Sequence, residues 1–332
     1  MRNALAPAPW LLLAVFATSL VAAAQAPARI PKIVVLAPGL ESGPTTLPAR
    51  EAFERGLKDL GWTPGKNIRV DFRYAEGTGE RLEELAREIV RDGPDVIVAR
   101  ASTAIRAVKR ATAAIPIVMS ASGFDPVALG FVESLGRPGG NVTGLTLMNQ
   151  DLPVKQLQLL KETVPHLSRV AILGSTANPS PARAREAIET AARSLGVQLQ
   201  EARPRTVEDL DRAFVDFGRW RASGLLVLAD PFVLEPNAGR VTALAHKHRL
   251  PAVYWLHIYP EAGGLMSYGA DLFDILRRSA GYVDRILRGA RPAELPVEEP
   301  TKFTLVVNRK TAQTLGFAIP PSIMARVNVV IE

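Results

Sequence analysis

Three side chains stand out for the chemistry that their positions allow. Ser102 and Thr103 follow the aliphatic run Val96 to Ala99, where a helix is expected to begin near Ala104. Their hydroxyls and the first unpaired amides of that helix can hold a carboxylate or another anion, and the same residue types also make ordinary helix caps. Asp230, just before Pro231, takes the corresponding place after Leu225 to Leu228. A carboxylate there can pair with an ammonium group, or it can close an Asp-Pro turn. Leu40, Asp125 and Asn178 lie in further loops of the same kind, each following an aliphatic run.

Groups that carry catalysis are scarce. The chain has no cysteine, which removes disulfides, thiolate nucleophiles and cysteine zinc sites together. Of the four histidines, His166 follows a proline, and His246 and His248 are two apart on a helix and so face different directions. A zinc-protease helix motif, a Walker-type phosphate loop and a Gly-x-Ser-x-Gly elbow are all lacking. Asn141-Val142-Thr143 has the form of a glycosylation acceptor but reads as turn chemistry. No catalytic residue, metal ligand or cofactor is therefore expected.

The elements that position these loops are written twice. Ile33 to Leu36 is followed by Pro38, Gly39 and a helical stretch that stops at Gly61, and Val170 to Leu173 is followed by a loop and a helical stretch that stops at Gly196. Val96 to Ala99 matches Leu225 to Leu228, and the proline-led runs Pro116 to Met119 and Pro251 to Tyr254 match in turn. Short aliphatic runs without polar alternation suit parallel strands covered on both faces, and the helices between them supply the crossovers. The expected fold is α/β, with two doubly wound, Rossmann-like parallel-sheet lobes. Lobe one takes residues 30–147 plus about 263–298, and lobe two takes 148–258 plus about 300–332. The tail is too small for a third domain and returns through both lobes, which gives a hinge of several crossings. In open parallel sheets, ligands bind beyond the carboxyl ends of the strands, so two facing sheets put all these loops on one cleft.

The 332 residues are 47% hydrophobic and carry a net charge of +7, which suits two folded domains and gives no clustered basic surface for nucleic acid. Residues 1–26 read as a cleavable export signal. Arg2 opens it, Trp10 to Ala24 is apolar, and Ala24-Gln25-Ala26 is the kind of site a signal peptidase accepts. The apolar run is short for a bilayer span, and no cysteine follows it for lipid attachment. The mature protein is expected to be periplasmic, not inserted in the membrane.

Three long stretches carry a resemblance: FDPVALGFVESLGRPGGNVTGLT from Phe124, AGGLMSYGADL from Ala262 and PTKFTLVVNRKTAQTLGFAIPPSI from Pro300. In these the chain resembles the ABC-transporter substrate-binding proteins that include tryptophan-binding members. The resemblance implies a type I periplasmic-binding-protein fold, a small-molecule ligand held between two lobes, and an ABC permease in the inner membrane as partner. It carries a ligand-binding role onto Ser102, Thr103, Asp125 and Asp230, and adds Asn178 and Tyr268. The stretches Glu41 to Pro44 and Asn178 to Pro181 depart from the pattern of amino-acid binders, which leaves the small-molecule ligand open, an amino acid or a related acid being one candidate. A sensory module presenting the same lobes to a receptor or kinase is the alternative function, followed by an exported enzyme.

Overall fold

A computed structural model describes residues 29–147, 151–174 and 182–332. The expected export signal and Asn178 lie outside the described residues. The first lobe runs β1 (Lys32–Ala37), α1 (Thr46–Asp59), β2 (Arg69–Tyr74), α2 (Gly79–Asp92), β3 (Val96–Arg100), α3 (Ala101–Ala111), β4 (Ile117–Ser122) and β5 (Val142–Thr146). Its five strands are all parallel, in the order β2-β1-β3-β4-β5.

The second lobe contains α4 (Leu152–Thr163), β6 (Arg169–Leu173), α5 (Ala182–Ser194), β7 (Gln198–Ala202), α6 (Val207–Arg219), β8 (Gly224–Val227), α7 (Ala238–Lys247), β9 (Ala252–Tyr254), α8 (Ile258–Glu261) and β10 (Met266–Ala270). After α9 (Leu272–Leu287), the chain adds β11 (Phe303–Asn308), α10 (Arg309–Leu315), α11 (Pro321–Met324) and β12 (Val329–Ile331). The seven-stranded sheet has the order β12-β11-β10-β9-β8-β6-β7. Its part β7-β6-β8-β9-β10 repeats the order of the first sheet.

The aliphatic runs become strands because both faces are covered. Ile33 to Ala37, Val96 to Ala99 and Leu225 to Val227 are all buried, and each fully buried Val, Leu or Ile contributes about 2 kcal/mol through loss of apolar surface from water. The helix stop expected at Gly61 is present, with a left-handed φ of 87°.

Two expectations need correction. The segment from about 263 was assigned to lobe one, but β10 pairs with β9 and β11 in the second sheet, and the chain crosses only at Asp271. Gly269 makes this pairing possible, because a Cβ there would lie 2.0 Å from the Trp255 carbonyl oxygen. The second sheet is also not wholly parallel, since β11 runs antiparallel to β10. It arrives from the other lobe instead of through a helical crossover, so the rule that makes such connections parallel does not apply.

The chain passes between the lobes after β5, before α9 and before β11. The helix α9 packs on α1, β4 and β5, which ties the tail to the first lobe. Glu298 extends that sheet, donating its amide to Gly144 O (3.0 Å) and accepting from the amide of Thr146 (2.9 Å).

Candidate functional site

The carboxyl ends of both sheets meet across a cleft. Its first wall holds Pro38 to Leu40 after β1, Thr45 at the start of α1, Tyr74 at the end of β2, Arg100 to Ser102 where β3 turns into α3, Ala121 near the end of β4, and Gly123 just after it. Its second wall holds Ala229 to Pro231, Glu235 and Pro236 after β8, and Trp255 after β9. About 40 Å3 of free space remains inside, room for a few waters, so the lobes have to part for a larger guest.

Local chemistry fixes the first wall. Thr46 Oγ1 donates to Leu40 O at 2.7 Å and pins the loop after β1. Ser102 and Ser122 hydroxyls lie 3.1 Å apart, and Ser102 Oγ also accepts from the amide of Gly123 at 3.1 Å. That network ties the loop after β3 to the loop after β4. Two alanines on this wall hold left-handed backbone, Ala101 at φ 62° and Ala121 at φ 60°. Such residues carry a strain of about 1–2 kcal/mol each, held in place by the structure around them.

Asp230 organises the second wall. It is fully buried, and its Oδ1 accepts from the amides of Val233 (2.6 Å) and Leu234 (2.8 Å). The turn it closes brings Glu235 back to the cleft, with the Glu235 amide donating to Asp230 O at 2.9 Å. Asp230 is thus both a cleft residue and the brace of a turn.

Glu235 joins the walls. Thr45 Oγ1 donates to Glu235 Oε1, and Arg100 Nη2 approaches the same oxygen at 3.5 Å. Burial raises the Glu235 carboxyl above the ordinary glutamate range, against the opposing pull of Arg100 and Thr45, and the Asp230 charge pushes it further up. Burial likewise raises Tyr74, and it raises Tyr259 well above the usual phenol range, helped there by Glu235 and Asp230.

Of the residues picked from sequence, Leu40, Ser102 and Asp230 line this cleft together. Thr103 does not line it, and its hydroxyl is buried in the first turn of α3. Asp125 lies outside the lining and closes a turn by accepting from the Val127 amide at 2.9 Å. Tyr268 sits within β10, its ring stacked on Phe303 at 5.8 Å between centroids, away from the lining. Sequence reasoning missed Thr45, Arg100, Glu235 and Trp255. Arg100 directly follows the aliphatic run Val96 to Ala99, so its place at a strand tip was legible.

Residues 32–331 match the family described as ABC transporter substrate binding protein. The chain belongs to that family. Members bind small ligands and work with an ABC transporter, and the two-lobed type I periplasmic-binding-protein fold is the one found here. Among similar proteins is a tyrosine-binding protein of Clostridioides difficile, 25% identical over 268 residues, which are 80% of this chain and 76% of that protein. A solved conserved domain protein from Vibrio cholerae is 29% identical with a TM-score of 0.84, covering 91% of this chain and 100% of that one. A Streptococcus pneumoniae ABC domain solved with L-Trp is 25% identical with a TM-score of 0.83, covering 91% of this chain and 99% of that one. Among the described residues, no helix is long and apolar enough to cross a membrane.

Proposed function

We propose that this protein is exported, captures an amino acid or a related acid between its lobes, and delivers it to an ABC permease of the inner membrane. The observation that carries this reading is the polarity of the cleft: a guanidinium and a helix N-terminus on one wall, two buried carboxylates on the other. The names of the relatives, a tyrosine-binding protein and a domain in complex with L-Trp, support the same class of guest. Leu40, Ser102 and Asp230 contact it directly. Asp125 braces the turn that follows β4.

Capture needs no covalent step. The guest enters between parted lobes and shifts the hinge equilibrium by as much as it binds the closed form better than the open one. A thermal-shift screen of amino acids and related acids tests the reading. A guest present at a hundredfold over its dissociation constant stabilises the fold by about 2.7 kcal/mol. Asp230→Ala is expected to weaken binding strongly in calorimetry, and unchanged affinity would remove Asp230 from the site. For export, amino-terminal sequencing of the periplasmic protein is expected to begin just after Ala26.

A further inference from the structure

Among the described residues, one charged contact crosses the closed cleft. Arg100 is the last residue of β3, Glu235 lies beyond β8, and their side chains are only 12% and 9% exposed. The contact is loose. The Arg100 side chain's hydrogen bonds to described residues are two long ones from Nη2, 3.4 Å to Thr45 Oγ1 and 3.5 Å to Glu235 Oε1. A well-formed guanidinium–carboxylate fork closes to about 2.8 Å through two parallel bonds.

The surroundings separate the two charges further. Arg100 leads straight into α3, an eleven-residue helix whose first amides favour an anion on the same side. On the opposite wall Glu235 shares its burial with Asp230. A cation brought by a guest can approach the Glu235 carboxylate more closely than the 3.5 Å contact from Arg100 does.

We propose that Arg100 and Glu235 form a receptor for a zwitterion: the guest inserts between them, giving its anion to Arg100 and its cation to Glu235. The direct contact is the arrangement the two side chains take when nothing parts them. This rests on the solute-capture reading and narrows it, because related acids that lack a cationic group are refused. A simple acid would occupy Arg100 and leave Glu235 buried without its partner, and a simple amine would do the reverse. Either leaves a desolvated charge unpaired, which selects against it.

The test uses matched trios of probes: L-tyrosine with 3-(4-hydroxyphenyl)propanoate and tyramine, and L-tryptophan with indole-3-propanoate and tryptamine. Calorimetry on the wild type is expected to show at least one amino acid binding at least about tenfold tighter than its acid and its amine, a difference of about 1.4 kcal/mol. Glu235→Gln is expected to erase most of the advantage over the acid, and Arg100→Met most of the advantage over the amine. Glu235→Asp, which keeps the charge, retains discrimination and serves if the glutamine variant does not fold. An acid that binds the wild type as tightly as its amino acid, or a Glu235→Gln protein with unchanged ratios, would overturn the proposal while leaving solute capture standing. If no probe of any class binds or shifts the melt, the zwitterion receptor falls, and capture of other solutes is judged by the wider screen.

Discussion

Glu235 ties the chemistry of the cleft to pH. Its carboxyl is raised in the closed fold by burial, so folding favours the protonated form more than the unfolded chain does. The resulting stabilisation is fully present below the ordinary glutamate range and is lost as pH rises through the raised value. Chemical denaturation across that window is therefore expected to show the wild type losing stability relative to Glu235→Gln as pH increases. A difference that stays constant would mean that Glu235 is not buried in the way described. Ala101 and Ala121 give a second test at this scale. Both hold left-handed backbone, so Ala101→Gly and Ala121→Gly are expected to raise unfolding free energy by up to about 1 kcal/mol in urea titrations, where glycine within regular structure normally lowers it. Ser102 and Asp230 were legible because strand tips can be read from aliphatic runs. Glu235 and Thr45 were not, because their meeting spans 190 positions and depends on how the lobes close.

At the scale of elements, close approach decides which helix covers which sheet. Gly56 of α1 faces α9, and a Cβ there would stand 2.1 Å from the Arg277 carbonyl oxygen. Gly56→Ala is expected to push α9 from α1 at a cost of about 2 kcal/mol, visible as a lowered urea midpoint with an unchanged slope. A neutral result would contradict the tight helix contact. The twice-written pattern was readable from sequence because each unit repeats the same strand, loop and helix stop. The lobe membership of β10 was not readable. Its sequence, MSYGA, lacks the aliphatic run that marks β1, β3, β6 and β8, and its place depends on Gly269 admitting the Trp255 carbonyl. The direction of β11 was hidden for a related reason: it enters from a lobe crossing, where no helix constrains its sense.

The whole molecule is two sheets that share a five-strand order, joined by three chain passages, with the tail contributing to both lobes. Passages of this kind let the lobes rotate so that the cleft between them contracts or opens. The central claim is that a guest is taken up in that cleft. Gly123 lines it, and a Cβ added there meets nothing within 4 Å, so the side chain of Gly123→Trp leaves the backbone unhindered, while its indole, larger than the space in the closed cleft, keeps the lobes apart and takes the guest's place. The direct measurement is calorimetric titration of the wild type and Gly123→Trp, each stripped of bound solute, with the most stabilising compound from the thermal screen. The account expects one-to-one binding by the wild type and no measurable binding by a variant that still melts cooperatively. Equal affinity in the two proteins would contradict it, because the guest would then be held somewhere other than between the lobes.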